Sequence, residues 1–308
     1  MAKRRIRRGR DINGVLILDK PPGMTSNDAL QSVKRIFNAK KAGHTGSLDK
    51  PATGVLPICF GEATKFTSYL LNADKSYTAL CKLGEITTTG DADGEVIASH
   101  DVPNITRTDI DRVLKRYTGE IMQVPPMHSA LKHQGERLYK LAYRGIEVER
   151  EARPVTIYSL ECTEFDSPLF RIEVSCTKGT YVRTLVEDIG KSLGCGAHIR
   201  NLVRTVVGDF TADQMITLDR LAETASKGPD ALEKLLHPVD SIIHDMPRVT
   251  LQENVSCYLE KGQAVLVPHA PTEGMLRIYN EKQDFLGIGE VLDDGRIAPR
   301  RLVNLASG

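Results

Sequence analysis

Residues 41–57, KAGHTGSLDKPATGVLP, constrain this chain more than any other stretch. Gly43, Gly46 and Gly54 permit positive φ and close backbone approach, while Pro51 and Pro57 fix φ near about −65°. Such a segment reads as a shaped loop that the rest of the chain must support. It holds one carboxylate, Asp49, one imidazole, His44, and the hydroxyls of Thr45, Ser47 and Thr53. A loop that sets its own path and carries a carboxylate near an imidazole suits a reaction centre. The same composition also suits an aspartate that bonds its own backbone in a turn, and a short pattern alone does not separate the two.

The chain is long enough, at 308 residues, for one large domain and a small one. Its net charge of +1 means that any basic surface is local, and the absence of Trp, with 5% aromatics, argues against a dense stacking platform for single strands. Six scattered cysteines lack any CxxC pair, so no structural metal is expected; they read as reduced thiols of a cytoplasmic protein. Residues 1–10, MAKRRIRRGR, form a basic arm. The apolar run that follows, 15–18, is too short for a secretory signal, and no stretch is long enough to cross a membrane. Neither a GxGxxG turn nor a GxxxxGK[ST] loop is present, so no nucleotide cofactor is expected.

Read in order, residues 15–18 form a buried strand ended by Pro21-Pro22-Gly23, and Thr25 with Asp28 forms a capping box for a helix with Leu30, Val33, Ile36 and Phe37 on one face. Residues 64–71 read as a short helix and 76–83 as a strand with Tyr77, Ala79 and Cys81 on one face. TTTGDADGE lacks the later ligands of a calcium loop, so Asp91 and Asp93 are assigned to a polar turn. The spacing predicts a helix over 108–117 with Thr108 and Asp111 as its capping box. Residues 123–153 carry Lys132, Arg137, Lys140 and Arg144, which could flank a phosphate backbone. Segments 155–164 and 170–176 alternate as neighbouring antiparallel strands, and a helix through Leu185, Val186, Ile189 and Leu193 ends at Gly194. Residues 218–243 read as helical. Beyond Pro247 the texture changes to short strands and turns, which predicts a small β domain.

HTGSLD, ATGVLPI and GEATKF, with DKPPGMTS, PPMHSALK, KGTYVR and GAH followed by Leu202, resemble in order the motifs of the tRNA pseudouridine-55 synthases. The resemblance implies an α+β pseudouridine-synthase fold: a central, largely antiparallel sheet flanked by helices, and a small C-terminal PUA-like β-barrel. It places a catalytic domain at 1–247 and an RNA-binding domain at 248–308. It makes Asp49 the catalytic nucleophile, Arg183 its partner, and Tyr77 the ring against a flipped-out uracil. Tyr181 joins the base contacts, Leu202 is a wall of the pocket, and His44 takes the space that the base vacates. Lys20 and Lys65 are expected to be phosphate or structural contacts. The implied substrate is the T-arm of tRNA, acted on by a monomer with no cofactor, no metal, no membrane and no obligate protein partner.

The chemistry fits these residue types. Breaking N1–C1′ of uridine and re-forming the link through C5 needs an ionised carboxylate, a base near C5 and a pocket for an extruded nucleotide, without redox change. One departure stands out: the family pattern Asp-Pro-x-Ala-Thr-Gly is here Asp49-Lys50-Pro51-Ala52-Thr53-Gly54. The conformational restraint of the residue before proline falls on Lys50 instead of Asp49, and Lys50 brings a cation to the loop. Two other classes fit parts of the chain. One is a non-catalytic RNA-binding or tRNA-folding protein. The other is a glycosidase-like enzyme, which needs a second carboxylate about 5–10 Å from the first.

Overall fold

The computed structural model describes residues 9–304; apart from Gly9 and Arg10, the basic arm lies outside them. Strands Gly14–Lys20 and Thr53–Phe60 are apolar almost throughout because helices cover both their faces. One face packs on helix Ser26–Ile36 through Ala29, Leu30 and Val33, and the other packs on Phe66, Leu70 and Phe210. Strands farther along, Lys75–Leu83 and Leu169–Cys176, bury alternate residues against helices Arg107–Arg116 and Val182–Ser192.

The sheet runs Gly14–Lys20, Thr53–Phe60, Ala197–Val207, Lys75–Leu83, Leu169–Cys176, Arg153–Asp166, Gly119–Gln123, with short strands Ala42–His44 and Phe210–Thr211 beside this path. Every pairing in it is antiparallel except Thr53–Phe60 with Ala197–Val207. The centre of the sheet is therefore a strand from late in the chain, inserted between two early ones. Residues 248–302 form a second, five-stranded sheet that curls into a half-barrel.

Five of the six cysteines are buried and free, and Cys257 is exposed. Among the described residues no helix is long and apolar enough to cross a membrane.

The Thr25–Asp28 capping box forms as expected. The one expected at Thr108 and Asp111 does not: the cap lies two residues earlier, at Thr106 with Asp109. The segment TRTDID contains two overlapping T-x-x-D patterns. The earlier one wins because it places Ile105 and Ile110 at staple positions within one core cluster. The expected 64–71 helix is two pieces, a 3-10 turn Gly61–Lys65 and an α-helix Thr67–Asn72, broken at Phe66.

Candidate active site

The loop between Ala42–His44 and Thr53–Phe60 is fastened at several points. Thr45 N–H donates to Pro57 O at 3.1 Å. Leu48 N–H donates to Ser26 Oγ at 2.8 Å, and that hydroxyl donates back to Leu48 O at 3.2 Å. Ala52 N–H closes a four-residue turn onto Asp49 O at 3.1 Å, while Gly23 N–H holds Lys50 O at 3.0 Å. Below the turn, fully buried Lys20 donates to Pro21 O, Lys50 O and Ala52 O at 2.7–3.1 Å. An ammonium has three donors, and these carbonyls account for all of them. Burial lowers the Lys20 pKa to about 8, with Asp49 opposing the shift.

Gly54 sits where the strands cross. Its φ is +99°, and a Cβ there would lie 2.2 Å from Arg204 O, so no larger residue fits.

These contacts leave Asp49 facing Arg183. Arg183 Nε lies 2.9 Å from Asp49 Oδ2 and Nη2 lies 3.3 Å from Oδ1, a two-point pairing. The arginine, in the first turn of Val182–Ser192, is enclosed, with a 5% exposed side chain; that of Asp49 is 43% exposed. Arg183 also donates to Thr89 O at 2.7 Å and His128 O at 2.8 Å. Its position is thus fixed by backbone as well as by charge. Crowding by the cleft walls pushes the Asp49 pKa up, the guanidinium pulls it down, and Asp91 adds to the upward push.

Asp91 is a site residue that the sequence reading left in a polar turn. Its Oδ2 lies 3.9 Å from Arg183 Nε, and its Oδ1 accepts from Thr89 Oγ1 at 2.6 Å and Asp93 N at 3.1 Å. No local pattern marks it, because the guanidinium that it faces is far away in the chain. At 9% exposure and with these partners, Asp91 does not offer the free second carboxylate of a glycosidase.

A cavity of about 110 Å³ opens against the Asp49 carboxylate. Tyr77, Tyr181, Arg183 and Leu202 line it together with Asp49, so five of the expected site residues converge from four separate segments. Tyr181 is clamped by buried Gln123, which accepts from its N–H at 2.7 Å and donates to its carbonyl at 3.1 Å. Burial raises the pKa of both tyrosines, so both keep their phenolic protons.

The remaining expected residues lie outside this cavity. His44 is at the loop entrance, with Nδ1 unpartnered; burial, then the charge of Arg204, lowers its pKa and keeps the ring neutral. Lys20 is consumed by backbone carbonyls, as described. Lys65 pairs with Glu62 and donates to Leu302 O at 2.8 Å, tying the main body to the last strand of the half-barrel. Neither lysine is free for a phosphate; their contacts are the structural alternative of the two expected. Lys50 is exposed and not among the charges that shift Asp49, so the cations beside the carboxylate are Arg183 and Lys20.

A carboxylate left open beside an enclosed guanidinium, under two tyrosines and at the seam of this sheet, belongs to the pseudouridine-synthase class of folds. Solved structures agree on the fold. The chain aligns over 99% of its length, and 93% of the other chain, with a protein in "Structure of H/ACA RNP bound to a substrate RNA containing 2'-deoxyuridine" (TM-score 0.73, 24% identity). It aligns over 94% of its length, and 84% of the other chain, with one in a Cbf5–Nop10–Gar1 complex (TM-score 0.72, 28% identity). Family models match residues 34–182 (TruB family pseudouridylate synthase, N-terminal domain), 183–244 (tRNA pseudouridylate synthase B C-terminal domain) and 247–303 (Pseudouridine synthase II TruB, C-terminal). Curated relatives include the tRNA pseudouridine synthase B of Nitrosococcus oceani, 53% identical over the whole of both chains. That of Pseudomonas aeruginosa is 55% identical over 97% of this chain and 98% of its own. The chain belongs to the TruB family of pseudouridylate synthases.

Proposed function

We propose that this enzyme converts uridine 55 in the T-loop of tRNA to pseudouridine, with Asp49 as the nucleophile acting on a uridine extruded into the cavity under Tyr77. The observation that carries the reading is the asymmetry of the Asp49–Arg183 pair: the cation is sealed and the anion is open. A sealed guanidinium favours the ionised carboxylate without blocking its approach to a substrate. Tyr77 and Leu202 then hold the faces of the base, and Tyr181, fixed by Gln123, lines the same wall. Bonding is conserved overall: N1–C1′ breaks, C5–C1′ forms, the C5 proton leaves and N1 gains one. His44, neutral and at the loop entrance, fills the helical space that the extruded base leaves.

The division of labour follows the chain. Residues 1–247 carry the chemistry, and 248–308 add RNA-binding surface to a cytoplasmic monomer that needs neither metal nor partner protein. The T-arm supplies the substrate. Release of tritium from [5-³H]uridine-labelled tRNA tests the assignment, since C5 loses its hydrogen only on becoming the glycosidic carbon. Release by the wild type and none by Asp49→Asn is the expected result. Release by both would remove Asp49 from its role; release by neither, with tRNA still bound, would make the chain an RNA-binding protein.

A further inference from the structure

A buried amide that does not line the cavity touches the helix that carries Arg183. Gln123 ends the edge strand Gly119–Gln123, is 3% exposed, and faces Arg153 across the strand pair. The chain leaves the sheet at Gln123 and returns at Arg153, so the excursion 124–152 stands on this one pairing. The excursion carries the cations Lys132, Arg137, Lys140 and Arg144.

Two contacts join the start of this excursion to the catalytic helix. The Gln123 side chain accepts from Tyr181 N–H at 2.7 Å and donates to Tyr181 O at 3.1 Å, and His128 O accepts from Arg183 Nη2 at 2.8 Å. Tyr181 is the N-cap of Val182–Ser192 and makes no side-chain cap bond, while its carbonyl also takes Leu185 N–H at 3.1 Å. The Gln123 amide thus fixes from outside the angle at which the first turn leaves its loop. Between the two contacts lie Val124, Pro125, Pro126 and Met127. Each proline fixes its own φ and pushes the residue before it toward extended backbone, so the run is a stiff spacer. At its far end the two protons of Arg183 Nη2 go to His128 O and, at 3.3 Å, to Asp49 Oδ1. A shift of that carbonyl therefore turns the fork relative to the carboxylate. Beyond it, Ser129 O accepts from Tyr139 N–H at 3.0 Å, which ties the same backbone to the short helix Leu138–Ala142 that holds Lys140.

We propose that Gln123 is a positioning residue: its amide pins Tyr181, the proline run carries the same constraint to His128 O, and together they set the fork of Arg183 against Asp49. The placement of the cationic excursion thereby becomes part of the catalytic geometry. The inference rests on the reading of Asp49 as the nucleophile and Arg183 as its partner. Without the amide, Tyr181 N–H loses its acceptor, the first turn loosens and the guanidinium turns away from Oδ1. Displacement on the scale of an ångström costs on the order of 10²-fold in rate. Binding of tRNA, which involves far more surface than this contact, stays nearly constant.

The test compares Gln123→Met, Arg183→Met and the double variant by single-turnover tritium release, with tRNA Kd and Tm measured on the same preparations. Methionine keeps the length of the side chain and removes both of its bonds. The expected result is a rate lower by on the order of 10²-fold in Gln123→Met with Kd within about threefold of wild type. Because Gln123 acts through Arg183, the double variant is slower than Arg183→Met by no more than about twofold. In Gln123→Met the Arg183 Nε–H resonance in ¹H–¹⁵N spectra shifts and exchanges faster. A wild-type rate in Gln123→Met, a loss carried by Kd instead of the rate, an unchanged Arg183 resonance, or losses that multiply in the double variant overturns the proposal. Should Gln123→Met fail to fold, Pro125→Gly with Pro126→Gly decides by the same readings, since it keeps the amide and removes the stiff spacer. A rate about tenfold lower with Kd unchanged is then expected, and a wild-type rate overturns the brace. Absence of release by the wild type would instead strike the functional reading beneath it.

Discussion

Two clusters in this molecule contain the same groups: an aspartate, an arginine and a tyrosine. At the active site Asp49 pairs with Arg183 below Tyr77; at the junction with the half-barrel, Asp240 faces Arg277 and Tyr279. At the junction the tyrosine hydroxyl donates to Asp240 at 2.5 Å, and Arg277 donates to Tyr279 Oη at 3.2 Å and Met246 O at 3.0 Å. Arg248 stacks over the ring at 4.3 Å. Both charged side chains are largely covered, Arg277 at 14% and Asp240 at 20% exposure. The junction spends every group on another, and burial, then the bond to Asp240, pushes the Tyr279 pKa up to about 12. At the active site the carboxylate is left accessible while its guanidinium is sealed. The pairing itself does not distinguish the two clusters; which partner is uncovered does.

Asp49→Asn breaks that comparison most sharply. Pseudouridine formation is expected to fall by about 10⁴-fold or more in single-turnover assays, whereas Asp240→Asn keeps the rate within about twofold. Arg183→Met comes next, with a loss of about 10²–10³-fold. It also changes the pH profile. The proposed role needs Asp49 ionised and its pKa is raised, so the rate is expected to fall as pH drops through that pKa; without the guanidinium the pKa rises further and the acid limb is expected to move to higher pH. A limb that stays in place would mean that Asp49 does not titrate in the rate-limiting step.

For the junction the effect is on stability. Asp240→Asn or Tyr279→Phe is expected to cost about 1–3 kcal/mol in denaturant unfolding, because a covered polar group loses its partner. The smallest effect concerns the turn at Asp49. Pro51 occupies its third position, where proline is less favoured than at the second. Lys50→Pro combined with Pro51→Leu restores the family order and moves the proline to the favoured second position, and is expected to shift the single-turnover rate by about a few-fold with Tm nearly unchanged, since the proline count stays the same. An unchanged rate would show that the Lys20 and Gly23 contacts already fix the loop.

Much of the site could be read from the sequence because its parts are local. Glycines and prolines marked the loop of Asp49, and the alternation of apolar residues placed Tyr77 on the inner face of its strand. The family motifs supplied Arg183, Tyr181 and Leu202. What was not legible was long-range partner choice. Asp91 looked like one more polar turn residue, nothing in the pattern singled out Arg204, and nothing near Lys65 names Leu302 as its acceptor. Periodicity reports which face a side chain takes, and a cap register two residues off, as at Thr106, shows how closely spaced signals compete. It carries no information on which distant group will meet it.

The late strand at the centre of the sheet has a consequence for biosynthesis. The loop of Asp49 is fastened by Arg204 to a segment 149 residues away from Val55. At ribosomal rates of about 5–20 residues per second, roughly 7–30 s separate synthesis of the loop from synthesis of its anchor. During that interval the edges of Thr53–Phe60 and Lys75–Leu83 that the late strand covers have no native partner. A truncation before residue 197 leaves a sheet without its middle.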